Sequence, residues 1–307
     1  MKKICLFLLV MIFAIGNTFP IFAVDNEDVL CITTYDCNTG EIIESDYNYS
    51  DNVVSYSNPI LDEINSSNIM PSALIGNDNR MRVDATESPY MMIGDIYMQW
   101  DFNDDGIIDD TTYSGTGFMM GPDVMVTAAH VVYWKTYECF PYRTYFVTER
   151  NGEFEYREIA KSMSISVSTS FIEKEATDYD GRLAHDWAIV ILDTNVGDRT
   201  GWFTCGITSG SLNLSSVIIS GYPDDDGKKY SQWCDFGVVT NTAASYFIYT
   251  ADATGGQSGA PVYDVNNVVW GIHHGGYSSG NQAYRFSESV YGFIQDELAA
   301  GRERYPN

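Results

Sequence analysis

The sequence predicts an all-β fold, and three observations carry that prediction. Short runs of β-branched and aromatic residues recur between turn residues along most of the chain. Parallel strands alternating with amphipathic helices are absent, which argues against Rossmann-like and α/β-hydrolase architectures. Only the last stretch has a helical period. In order, strands are expected at residues 92–100, 115–120, 124–128, 144–148, 187–192, 216–221, 237–240, 246–250, 260–263 and 268–272. At the end, Val290, Phe293, Ile294 and Leu298 fall on one helical face, with Ser287 placed to cap the start and Gly301 to mark the stop.

Composition supports a folded, exported protein. The 307 residues are 45% hydrophobic and 14% aromatic but only 19% charged, which excludes disordered, coiled-coil and collagen-like classes. Against 17 Lys and Arg stand 42 Asp and Glu, a formal charge of −25. A surface that acidic repels phosphate backbones and anionic membranes, so no nucleic acid partner is expected.

Lys2 and Lys3 precede an apolar run over residues 4–15, the layout of a secretory signal spanning 1–23. The run is shorter than the ~20 residues a spanning helix needs, and no later stretch is long enough, so no membrane anchor is expected. Residues 24–72 carry ten acids and no Lys or Arg, and read as an extended or weakly folded leader ending at Pro71. The leader either stays attached or is removed. Cys139, Cys205 and Cys234 lie in the main body, where Cys205 with Cys234 is the closer-spaced pair; the cysteine spacings do not suit structural zinc.

Three segments place a reactive residue at a strand edge. The run Val124-Met-Val-Thr-Ala-Ala-His130 sets small residues beside an imidazole, which suits a fixed general base. In His185-Asp186-Trp187-Ala-Ile-Val-Ile-Leu192, Asp186 stands at the mouth of a continuous apolar strand, where a carboxylate can accept the imidazole N–H and fix its tautomer. Thr254-Gly-Gly-Gln-Ser258-Gly-Ala-Pro261 offers an exposed hydroxyl on a tight turn, with the N–H groups of Gly256 and Ser258 able to converge on an oxyanion. Taken singly, the first two read as an ordinary histidine and a turn aspartate, whereas the third is the most specific, with a non-catalytic glycine-rich turn as its alternative. The lipase-type elbow G-x-S-x-G fails because Ala260 replaces its last glycine.

The order His130, Asp186, Ser258 is that of chymotrypsin-type proteases, and residues 73 to about 299 resemble that clan. Ile219-Ser-Gly-Tyr-Pro223, Ser231-Gln-Trp233, Gly271-Ile-His273 and Gly276-Tyr-Ser278 resemble stretches of the bacterial glutamyl endopeptidases. The resemblance implies two six-stranded antiparallel Greek-key β-barrels, about 73–200 and 201–299, followed by the helix, with the site between them. It implies a secreted serine endopeptidase acting on protein or peptide substrates, with His130, Asp186 and Ser258 catalytic and no cofactor required. Its alternatives are a pseudoprotease or binding module on the same scaffold.

By the same resemblance, His273 matches the residue that contacts an acidic P1 side chain, with Asp252, Ala253 and Thr254 beside the pocket. Ala253 replaces the usual hydroxyl, and Asp252 stands where trypsin-like enzymes recruit Lys or Arg, so a basic or mixed P1 preference is the rival of Glu/Asp. His274 is expected to be an exposed subsite residue. The family's propeptide removal implies that 24–72 is a propeptide cut by an activating protease, with the new terminus near Ala73, whose amino group helps fix the pocket. Separately, Asp101, Asn103, Asp105 and Asp109, with Gly106, match the start of an EF-hand-type Ca²⁺ loop lacking its final Glu; a solvated acidic turn is the alternative.

Overall fold

The computed structural model describes residues 29–48, 69–70, 73–103, 105–175, 177–277 and 280–306. The expected signal at 1–23 lies outside them. Strands β1 (Val29–Asp36) and β2 (Ile42–Asn48) form a hairpin, and β3 (Ile69–Met70) and β4 (Met81–Arg82) are two-residue strands. Six strands then make the first barrel: β5 (Ile93–Trp100), β6 (Asp110–Met119), β7 (Val124–Thr127), β8 (Arg143–Thr148), β9 (Glu158–Ser168) and β10 (Ala188–Leu192). Their order is β10-β7-β6-β5-β8-β9, and β9 pairs back on β10 to close the ring.

After the short β11 (Thr204–Cys205), the second barrel comprises β12 (Ser216–Gly221), β13 (Trp233–Thr242), β14 (Tyr246–Tyr249), β15 (Pro261–Tyr263), β16 (Val268–Tyr277) and β17 (Gly280–Arg285). It closes through β16 with β17 and β15 with β12. The architecture is therefore two closed six-stranded antiparallel barrels with one long C-terminal helix, Glu288–Arg304.

The first barrel is filled by Ile93, Ile96, Phe118, Phe146, Ile165 and Val190, all fully buried. Strand β10 reads as a continuous apolar run because side chains on both its faces are buried, Ala188, Ile189, Val190 and Leu192 among them, while β7 and β9 pair with its two edges. The expected strands are present within a few residues, but β9 and β17 were not expected from the sequence. Both are polar: β9 buries Ser162, Ser166 and Ser168, and β17 buries Asn281, Gln282 and Arg285.

Part of the leader is also folded. Strand β1 pairs antiparallel with β9, burying Leu30, Ile32 and Thr33, so composition alone misread 29–48 as weakly structured. Ser287 caps the C-terminal helix as expected, accepting from Val290 N at 3.2 Å. Gly301 does not stop it. The helix runs to Arg304, and Gly301 lies inside it against Asp123, whose Oδ1 would be 2.3 Å from an added Cβ. Arg304 Nε then reaches Asp123 Oδ2 at 2.7 Å, which ties the helix to the first barrel. Cys205 and Cys234 form no disulfide; both are buried thiols, held high in pKa by desolvation. No helix among the described residues is long and apolar enough to cross a membrane.

Candidate active site

His130 sits in a one-turn helix, Ala129–Val132, directly after β7. The β7–β10 register pairs Thr127 with Ala188, and continuing it sets Asp186 opposite Ala129. Two bonds follow: Asp186 Oδ1 accepts the His130 backbone N–H at 2.9 Å, and Asp186 Oδ2 lies 2.7 Å from His130 Nδ1. The carboxylate is fully buried while the imidazole remains about one-third exposed. Burial alone would raise the Asp186 pKa, but the adjacent His130 ring and its hydrogen bonds outweigh it and hold the group below its ordinary value. The carboxylate is thus ionised and aims the imidazole from one side.

Ser258 comes from the other barrel and lines the same 370 Å³ cleft as His130, together with Gly255, Gly256 and, from the first barrel, Trp100 and Tyr133. Its turn is fastened to the first barrel by Thr116. The Thr116 N–H donates to Ser258 O at 2.8 Å, and its hydroxyl donates to Gly256 O at 2.9 Å while accepting from Tyr222 N at 2.9 Å. Gly256 has φ +89°, and a Cβ there would lie 2.5 Å from Tyr222 O, so only glycine fits. Among the described residues, the N–H groups of Gly256 and Ser258 donate to no internal acceptor, whereas the intervening Gln257 N–H is committed to Thr254 O at 3.2 Å. Two unspent donors beside a serine are what an oxyanion site requires.

The residues expected around the pocket are placed as follows. His273 is fully buried, with Nδ1 2.7 Å from the Tyr249 hydroxyl. Desolvation, then the rings of His274 and His130, push its pKa down to about 3, so it is neutral. Asp252 does not present an idle carboxylate: Oδ1 accepts from Ile75 N at 2.5 Å and Oδ2 from Asn79 N at 3.0 Å. It is a buried anchor for the 75–79 segment, because those two N–H groups solvate its charge. Ala253 N donates to Ala73 O at 3.3 Å, and Ala73 N donates to Asn281 Oδ1 at 2.8 Å. Thr254 accepts from Arg80. His274 is buried rather than exposed, correcting the expectation of an open subsite.

Sequence reasoning missed Arg80, Asn281 and Thr116. Arg80 is buried and bonds Gln257 Oε1 at 2.9 Å, Thr254, Asp78 and Asp225, joining the 75–80 segment to the serine turn. Each also joins segments far apart in the chain, Thr116 to Tyr222, Arg80 to Gln257 and Asn281 to Ala73, so no local pattern marks its role.

In the acidic loop between β5 and β6, the side chains of Asp101, Asn103, Asp105 and Asp109 accept the loop's own backbone N–H groups. Gly106 N reaches Asp101 Oδ2 at 2.8 Å and Phe102 N reaches Asp109 Oδ2 at 2.7 Å. Among the described residues, no three His, Cys, Asp or Glu side chains converge as a metal would need.

Comparison with known proteins agrees with this geometry. Over 241 residues the chain is 29% identical to the Extracellular metalloprotease of Bacillus subtilis, covering 76% of this chain and 72% of that one. Over 194 residues it is 29% identical to the Glutamyl endopeptidase of Bacillus licheniformis, covering 62% of this chain and 55% of the relative. A solved structure described as Glu endopeptidase in complex with MPD superposes with a TM-score of 0.63 at 26% identity, covering 74% of this chain and all of that one. The family model described as a trypsin-like peptidase domain matches residues 115–272, a span that takes in His130, Asp186 and Ser258, and the chain belongs to that family of serine peptidases.

Proposed function

We propose that the protein is a secreted serine endopeptidase made as a zymogen. The observation that carries this reading is the 2.7 Å contact of His130 Nδ1 with the buried Asp186, in a cleft shared with Ser258 and two unspent N–H donors. Ser258 Oγ attacks the scissile carbonyl as His130 Nε2 takes its proton; the oxyanion sits on the Gly256 and Ser258 N–H groups. His130 then protonates the leaving amine, and water hydrolyses the acyl-enzyme by the same route. Asp186 orients the ring and stabilises the imidazolium. The chemistry needs no cofactor.

Glu or Asp is the proposed P1 residue. Glutamyl endopeptidases are among the relatives, and the commitment of Asp252 to Ile75 and Asn79 removes the repulsion that an idle carboxylate would impose. With Tyr249 at Nδ1, His273 meets the substrate as a neutral hydrogen-bonding ring.

The zymogen reading is supported by the leader's placement. Strand β16 loses β15 as a neighbour beyond Ile272, and β3 pairs with Gly276 and Tyr277 along that vacated edge. Gly259, next to Ser258, bonds His273 O on the same edge at 2.7 Å. An extended substrate running toward Ser258 would add itself there, so the leader and the substrate compete. Cleavage near Ala73 by an activating protease frees the edge. Export is supported by the N-terminal pattern and by an extracellular relative.

A fluorophosphonate should label the processed protein and fail to label Ser258→Ala. Absence of labelling in correctly processed protein would establish a silent scaffold instead. With a peptide panel varied at P1, cleavage after Glu or Asp is expected, and cleavage mainly after Lys or Arg would overturn the role of His273.

A further inference from the structure

Strand β16 contains a bulge between His273 and Gly275. His273 pairs with Ala283 and Gly275 with Gln282, so His274 is the extra residue with no counterpart on β17. Bulges re-aim a side chain, and here the two adjacent imidazoles face different partners. His273 turns to Tyr249, whereas His274 turns to the catalytic cleft's buried carboxylate, with Nδ1 3.7 Å from Asp186 Oδ2. The His274 side chain is fully buried, and neither ring nitrogen makes a hydrogen bond. Gln282 on β17 is its other polar neighbour, close enough to act on the ring but not at full hydrogen-bond geometry. A buried ring whose nitrogens lack full hydrogen bonds is costly, and plain packing would favour Phe or Leu at this position.

We propose that His274 is a positioning residue for Asp186, a second imidazole on the carboxylate that orients His130; this rests on the serine-protease reading above. The charged and titratable groups facing it are Asp186 from the segment before β10, His130 from the helix after β7 and His273 on its own strand, with Gln282 from β17. Desolvation holds His274 down at about 4, against the pull of Asp186, so the ring is neutral at working pH and offers an N–H dipole rather than a charge. A movement of about 0.8 Å brings Nδ1 to ordinary hydrogen-bond distance, and catalytic contacts commonly tighten in this way once substrate is bound. Donation from His274 disperses the Asp186 charge and gives Oδ2 a second donor beside His130 Nδ1. Two effects follow on its removal: His130 is aimed less well, and the undispersed carboxylate holds the imidazolium's proton more strongly.

The test compares His274→Phe, which keeps a planar ring without a donor, with His274→Asn, whose amide N–H stands near the place of Nδ1. The processed enzyme is normalised by fluorophosphonate labelling, and kcat, KM and the pH profile of kcat/KM are measured on the peptide cleaved by wild type. For His274→Phe, kcat should fall about 10- to 100-fold with KM within about twofold, and the acid limb should move to higher pH. His274→Asn should keep kcat within about threefold of wild type, with the original limb. If His274→Phe does not accumulate folded, His274→Ala supplies the donor-free arm. Wild-type kcat and limb in the donor-free variant, or an Asn variant as impaired as it, overturns the proposal. Wild type that takes no label overturns the serine-protease reading itself, and His274 falls with it.

Discussion

The two barrels share a topology but not an interior. The first is packed with large apolar side chains, among them Phe118, Phe146 and Trp187, that merge into the main hydrophobic cluster. The second encloses a smaller cluster with several alanines, Ala251, Ala253, Ala260 and Ala283, and buries Asp252, His273, His274, Asn281 and Gln282 close by. Small residues make room, and buried polar groups fill it. The first barrel holds His130 and Asp186 against a rigid wall, while the second gives up apolar packing to seat the serine turn among buried polar groups. Apolar filling and polar seating are thus unequally divided between halves of one fold, and Thr116, bonded to Ser258, Gly256 and Tyr222, sits where they meet.

The largest expected effect tests the rigid half. Phe146→Ala should cost about 3–5 kcal/mol in urea unfolding, by the same amount at pH 7 and pH 5. A cost below about 1 kcal/mol would show that the first barrel's packing is not the anchor.

Acid should single out the other half. His273 and His274 titrate near 6.5 when unfolded but are held at about 3 and about 4 in the fold, so between pH 6.5 and 4 the unfolded chain binds protons that the folded one refuses. Each histidine therefore makes stability fall on acidification, with a limit of about 1.4 kcal/mol per pH unit. In the first barrel, burial raises Asp95 to about 7 despite Arg150 at 2.6 Å, and this carboxyl works in the opposite direction over the same window. Comparing wild type with His273→Phe isolates the histidine share: the variant should lose less Tm between pH 6.5 and 4. Parallel Tm curves would mean that the ring is protonated in the fold.

The smallest effect is expected at the acidic loop of the first barrel. Because Asp101 and Asp109 already accept backbone N–H groups, millimolar Ca²⁺ should leave Tm unmoved. A rise that disappears in Asp101→Ala would restore the ion.

What could be read in advance followed a different line, apolar strands against polar ones, in both barrels. First-barrel strands such as β7 and β10 announce themselves through apolar runs, and the second barrel's β12 and β15 do so nearly as well. Strands β9 and β17 complete their barrels with serines, Asn281, Gln282 and Arg285, residues that ordinarily signal a loop; only the tertiary partners explain their burial. The candidate residues His130, Asp186 and Ser258 stood out because each sits at the end of a strand or on a glycine-rich turn. Their supports were not, because Arg80, Asn281 and the bulge at His274 acquire meaning only when distant segments meet.

The hairpin of β1 and β2 has a consequence for maturation. It is stitched to β9 over residues 32–36 and touches the C-terminal helix, where Tyr47 donates to Asp296 at 2.7 Å and its ring packs at a tilt against Phe293. Severing the backbone near residue 73 breaks none of these contacts. On the proposed cleavage, activation and departure would therefore be separate events, and the processed protein is expected to travel for a time as two pieces, its former N-terminal arm still clasped to the back of the molecule.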